Sequence, residues 1–345
     1  MTTGLLPNYL AVSGTTRQND LDVSFTISIN PGSSTTAGGF QGSQQENRQA
    51  FLTFGDKSWG SVKLGKDLGI FASDAILNDM TLLGVGGGAG GLAGNTTTLG
   101  RIGSGFMYAD WKAQVAYTTP NFSGLQATVG MTQAFNAVDG GMDSSYSGSQ
   151  GTGGGGGTRG GASPAFEGKA SYTFAANDVT GKVWVSGISQ KLKHVHTSSG
   201  GTVAATAWAT DIGANVNFAN FGLTGYYYAG EGIGQTFQFR DGLSDQNGSK
   251  RDSDGGYIQA TYVLPTKTKI GLSWGQSKLD GAGNNNENNF EKLENSMTTI
   301  GAYHPLTKHL NLVAEYSQTK HKQVWNGDET EGRARTASFG GILFF

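Results

Sequence analysis

LDVSFTISIN, residues 21–30, alternates without a break: Leu21, Val23, Phe25, Ile27 and Ile29 fall on one side of an extended chain, and Asp22, Ser24, Thr26, Ser28 and Asn30 on the other. Successive side chains of a strand point to opposite faces, so a period of two gathers the apolar set on one face. The fold depends on what that face meets, a protein core or lipid.

The pattern recurs to the end of the chain. WKAQVAY (111–117) sets Trp111, Ala113, Val115 and Tyr117 against Lys112, Gln114 and Ala116, and LQATVGMT (125–132) repeats it after the turn TTPNFSG. YIQATYVL (257–264) and KIGLSWGQ (269–276) flank LPTKT, and LNLVAEYS (310–317) sets Leu310, Leu312, Ala314 and Tyr316 against Asn311, Val313, Glu315 and Ser317. Only a short piece near 71–83 competes as a helix.

Connections between these strands sort by length. Short ones near 16–20, 55–58, 119–122, 176–178, 219–221, 265–267 and 306–308 alternate with long polar or glycine-rich ones near 31–46, 67–104, 136–163, 192–202, 231–253, 279–292 and 324–331. One end of the sheet therefore carries turns and the other carries loops, which is the layout of a bacterial outer-membrane barrel. A soluble sandwich has less reason to sort its loops so strictly. The patterns count to about fifteen strands, whereas such barrels have even numbers, so sixteen is the natural closure. The further strand either precedes Met1 or comes from residues 1–6 pairing with the last strand.

Composition agrees with a thin, two-faced wall. The chain of 345 residues is 36% hydrophobic and holds 57 glycines, with no apolar run near the roughly 20 residues of a membrane helix. In a wide barrel the far face meets channel water, so Asp22, Lys63, Lys112, Lys269 and Glu315 alternate with apolar residues at no buried-charge cost. The opening stretch therefore faces lipid. Trp59, Trp111, Tyr117, Trp274 and the run Tyr226–Tyr228 suit interfacial girdles. A net charge of −2 gives no bulk field to recruit nucleic acid. The absence of cysteine excludes disulfides and thiolate chemistry. MTTGLLPNYL has neither the basic start nor the apolar run of a signal peptide.

ENRQAFLTFGDKSWGSVKLGKD (46–67), a long insertion, and then LGRIGSGFMYADWKAQVAYTTPNFSGLQATVG (99–130) resemble the general porins of Gram-negative outer membranes, of the proteobacterial type. The ending ASFGGILFF is similar to the aromatic-terminated last strand of that family. The resemblance implies an all-β fold: a transmembrane antiparallel barrel of sixteen strands, a single domain over 1–345, whose third loop, 67–104, folds into the lumen and narrows it. It implies a homotrimer in contact with outer-membrane lipid and lipopolysaccharide, passing small hydrophilic solutes and ions by passive diffusion. The loop's own composition agrees, because Ile70, Phe71, Ile76, Leu77, Met80, Leu82 and Leu83 need burial.

Within that picture Asp74 and Asp79 on the loop face basic groups on the wall, and the transverse field between them weights solutes by charge. The family pattern matches Arg48 and Arg101 to wall arginines, and alternation adds Lys63 and Lys112. This excess of cations tilts selectivity toward anions. Each has a structural alternative: Arg48 as a rim or subunit-interface residue, and Asp74 as the N-cap of the turn after it. Lys66, by parity with Leu64 and Val62, points outward and suits packing between subunits.

No catalytic motif stands out, so the expectation is a protein that is not an enzyme and needs no cofactor. His194 and His196 share a strand face but lack a third ligand. DSDGG (252–256) and DGAGNNNENN (280–289) offer oxygen ligands for Ca2+ without the spacing of a calcium loop, and suit solvated loop tips. The glycine tract 151–161 suits an outer loop rather than a phosphate cradle. Two other functions share the fold class: a substrate-selective channel, for organic acids for instance, and a non-transporting, adhesin-like surface barrel. The many small residues on the polar faces would leave a void in a closed, dry barrel, which argues against the latter.

Overall fold

A computed structural model of the chain describes residues 2–32, 45–87, 97–133, 163–196, 202–244, 247–283 and 289–345. The strands are β1 (Leu10–Gln18), β2 (Leu21–Pro31), β3 (Gln45–Glu46), β4 (Ala50–Asp56), β5 (Gly60–Leu68), β6 (Trp111–Thr118), β7 (Leu125–Thr132) and β8 (Ala165–Ala176). They continue with β9 (Val179–His196), β10 (Thr202–Phe218), β11 (Phe221–Glu231), β12 (Asp252–Val263), β13 (Lys269–Asp280), β14 (Phe290–Pro305), β15 (Leu310–Trp325) and β16 (Asp328–Leu343). One helix, α1 (Ser73–Asn78), and a 3-10 turn, Met80–Leu83, follow β5.

Sixteen strands thus form one antiparallel sheet in chain order, with β3 lying off the path against β2. The path itself holds fifteen strands, so β1 and β16 run in the same direction, each hydrogen-bonded to a single neighbour among the described residues. Residues 2–5 do not pair with the last strand, one of the two sources expected for a further strand. They turn inward, where the Leu5 amide donates to the Gly84 carbonyl (2.8 Å) and Gly4 accepts from Thr98 (3.2 Å).

The two faces of the sheet invert the soluble pattern. Ile258, Ile212, Ile300 and Val129 are each about 60% exposed, whereas Ser277, Thr299 and Ser317, on inward positions, are buried. The set Val23, Phe25, Ile27 and Ile29 lies on the outer face, and Ser28 and Asn30 are buried inside. An apolar outer face and a polar inner face are what lipid outside and water inside require. Ile258→Arg, on the outer face in the middle of β12 between Gly225 and Trp274, is expected to cost about 2–4 kcal/mol, read by urea unfolding in lipid vesicles.

Residues with left-handed backbones occupy the tight turns, Asn19 and Asp20 after β1, Asn177 after β8 and Lys267 after β12. Two loop-end connections are shorter than their sequences suggested. β15 and β16 meet in the two-residue turn Asn326–Gly327, with φ of 54° and 77°, in place of a long loop at 324–331. β9 and β10 run on to His196 and from Thr202, which shortens the connection near 192–202. The tyrosine run also divides: Tyr227 faces out, but Tyr226 and Tyr228 are buried inside the barrel rather than in a girdle.

The main buried cluster is inside the sheet. Phe71, Phe106 and Met107 of the third loop pack against Trp184, Ile188, Tyr226 and Tyr257 from the inner faces of β9, β11 and β12.

Candidate functional site: the charged constriction

The third loop leaves the wall at Gly69 and returns at Asp110, and the Gly69 amide donates to the Asp110 carbonyl (2.7 Å). Two wall carboxylates hold its backbone. Glu167 on β8 accepts from the amides of Ile70 and Phe71 (both 2.8 Å), and Glu315 on β15 accepts from Val85 (2.7 Å) and Gly86 (2.9 Å). The Glu315 carboxylate lies so close to Gly84 that a Cβ there would have to displace it. Tyr257 donates to the Ala75 carbonyl (2.8 Å), Gln259 accepts from the Met80 amide (2.6 Å), and Thr336 donates to Gly87 (2.9 Å). With the bonds of Ala72 to Ser186 on β9, Gly105 to Ser277 on β13 and Arg101 to Met297 on β14, the loop is bonded to β8, β9 and β12–β16, and the sheet must curl around it to supply these partners. Space remains toward β2, β4 and β5, where Ser24, Thr26, Thr53 and Lys63 are half-exposed.

Asp74 lies in the first turn of α1 and is not its cap. The N-cap is Ala72, in a left-handed conformation, and it is Asp79 that caps, accepting from the Thr81 amide (3.1 Å) at the start of the 3-10 turn. The Asp74 carboxylate lies between two lysines of the wall, Lys169 on β8 (2.9 Å) and Lys182 on β9. Burial opposes its ionisation, but Lys169 and Lys182 together outweigh that and hold its pKa below the ordinary carboxyl value. Both lysines stay partly exposed, and with one carboxylate between them they carry one surplus positive charge. Lys63, on the inner face as alternation predicted, pairs with Asp67 and lies 4.7 Å from the Phe51 ring. On α1, Leu77, expected to need burial, is instead 57% exposed.

The other basic residues expected at the constriction, Arg48, Arg101 and Lys112, are withdrawn from water. Arg101 is fully buried between loop and wall. Its guanidinium donates to the Met297 carbonyl (3.0 Å) and to Ser273, and its Nε lies 3.6 Å from Asp79, which is buried with it. Arg101 is thus a residue of the returning loop and not of the wall. Lys112 is buried on β6, its ammonium 2.6 Å from both Glu167 and Gln238. Arg48 is buried, ion-paired to Glu46 (2.9 Å) with its guanidinium 5.7 Å from the ring of the outward Trp111. Lys66 turns out as parity predicted and donates to the Asn47 carbonyl (2.8 Å).

Sequence reading missed Lys169 and Lys182, although AFEGKASYTF (165–174) alternates as clearly as the opening stretch. It also missed the inward fold of the connection between β11 and β12. There Ile233, Gln238 and Phe239 are fully buried, and the Tyr108 amide donates to the Thr236 carbonyl (3.0 Å).

Among the described residues no cluster of His, Asp or Glu could hold a metal ion. Asp252 and Asp254 lie in β12 and not in a loop tip. Residues 284–288, the glycine tract 151–161 and the side chains of His194 and His196 lie outside the described set.

The sequence matches the family described as Gram-negative porin over residues 2–323. No curated protein matches it. Solved structures share the fold: an anion-selective porin from Comamonas acidovorans (16% identity, TM-score 0.61, covering 99% of this chain and 91% of that one); the outer membrane channel DcaP of Acinetobacter baumannii (16%, 0.66, 99% and 86%); and Salmonella typhi OmpF in complex with daunomycin (14%, 0.59, 98% and 90%).

Proposed function

The chain belongs to the Gram-negative porins, and from that premise we propose that this outer-membrane channel passes small hydrophilic solutes by passive diffusion with a preference for anions. The single observation that carries the preference is the pair Lys169 and Lys182 sharing one carboxylate, Asp74, at the water side of the third loop. A fixed surplus charge in a narrow aqueous path raises the local concentration of the opposite ion. Of the residues expected from sequence, Lys63 faces solutes, joined by Lys169 and Lys182, and Asp74 is the buried counter-charge beneath those two lysines. Asp79, Arg101 and Lys112 act by holding the loop, and Arg48 is paired to Glu46.

The protein is taken as one barrel domain over 1–345, assembled as a homotrimer within lipid and lipopolysaccharide, without a cofactor and without catalysis. The outward Lys66 is assigned to subunit packing.

The test is a planar bilayer with a KCl gradient. Stepwise conductance, in groups of three for a trimer, and a reversal potential on the chloride side are expected. A potassium-side reversal overturns the anion preference, and absence of steps from folded protein overturns the channel. Because Asp74 stays ionised into the acid range, the chloride preference should stay level from neutral to weakly acidic pH. It should rise only once the pH falls through the lowered pKa of Asp74 and the lysines lose their counter-charge.

A further inference from the structure

The returning arm of the third loop, residues 101–110, crosses the lumen from β13 and β14, where Arg101 is bonded, to β6. A second segment lies along it: residues 232–244, which follow β11 and are here called the strap. Tyr108 and Phe237 are partners in a parallel bridge, and their rings meet edge to face with centroids 6.0 Å apart. Gly103 packs so tightly on Thr236 that a side chain there would collide with it.

The strap is fastened at both sides of the barrel. Gln235 donates to the carbonyls of Ser277 on β13 (2.8 Å) and Leu293 on β14 (3.2 Å), and accepts from Asn295 (2.9 Å). Three residues later the side-chain Oε1 of Gln238 accepts from the Lys112 ammonium of β6 (2.6 Å), and its Nε2 donates to the Tyr108 carbonyl (3.0 Å). Lys112 in turn donates to Glu167, whose other oxygen holds the amides of Ile70 and Phe71. A single chain of charge-assisted bonds therefore runs from the entry of the third loop, through Glu167 and Lys112, to Gln238 and the loop's exit.

Resting on the channel reading above, we propose that Gln238 is a positioning residue for the constriction, the point at which the strap fixes where both ends of the third loop lie. Its side chain is fully buried and touches no solute. It acts through Tyr108 and Lys112.

The experiment is single-channel recording of wild type, Gln238→Leu, and Gln238→Leu with Tyr108→Cys and Phe237→Cys. The chain has no cysteine of its own, so an engineered pair at the bridge positions has no competitor. Gln238→Leu should close roughly tenfold more often at a given voltage, the scale set by a lost hydrogen bond to a charged group. Far-UV circular dichroism and migration of the unheated protein should stay as in wild type. The oxidised cysteine pair should restore quiet openings, and reduction should bring the closures back. Unchanged closure frequency in Gln238→Leu, or closures that persist in the oxidised variant, overturns the assignment. Lack of conductance in wild type overturns the channel reading together with it, so the two failures are distinguishable.

Discussion

Exchanging Lys169 and Lys182 together for glutamate is expected to reverse the sign of the channel's ion preference. The wild-type cluster carries one surplus positive charge around Asp74, and the double variant carries three negative charges. A unit charge about 4 Å from a passing ion is worth about 1 kcal/mol in bulk water and about 4 kcal/mol where water is partly displaced. Each 1.4 kcal/mol or so is a tenfold ratio, so a swing of four charges suffices to turn preference for chloride into preference for potassium. Both lysines are partly exposed, so glutamates there retain water even though Asp74 is buried. The paired glutamine variant separates charge from folding: it should sit between the two in reversal potential. A wild-type reversal potential in the glutamate variant would remove these lysines from the ion path.

The second large effect concerns a residue that does not meet the solute. Arg101→Ala should leave the sign of selectivity unchanged and raise the size limit. The guanidinium ties the returning arm to Ser273 and to the Met297 carbonyl, and it is the counter-charge of the buried Asp79. Removing one partner of a buried pair costs about 3–5 kcal/mol, because the other is left charged without compensation. That loss falls on the attachment of the loop. Liposome swelling with sugars of increasing size measures it: larger sugars should enter faster than in wild type, and the heat-induced shift on gels should come at lower temperature. A shift of reversal potential toward cations with an unchanged size limit is the signature of an arginine that lines the water path, and would refute this placement.

Strand identity was legible because its signal is local. The period of two in LDVSFTISIN assigns both faces with no knowledge of the rest of the chain, and the structure keeps that assignment through β2. The third loop was legible for a related reason, as its apolar residues have no place in free solvent. What fills the lumen is a different question, because inward polar positions look alike whether water or another segment covers them. Lys63 and Lys112 share the same alternation, yet Lys63 stays half-exposed while Lys112 is sealed under Gln238, more than a hundred residues away. Tyr226 and Tyr227 are neighbours in sequence, and only the packing of the third loop shows that the first belongs to a buried cluster and the second to the lipid face. One miss was avoidable: Asn326–Gly327 is the dipeptide of a two-residue hairpin and needed no tertiary information.

Alternating directions around a ring amount to colouring a cycle with two colours so that no neighbours match, and such a colouring exists only when the cycle is even. The fifteen strands of the path leave one junction between like colours, and it falls between β1 and β16. No antiparallel ladder can form directly across that junction, whatever the side chains. β1 and β16 therefore each keep one side of the backbone without a ladder partner among the described residues.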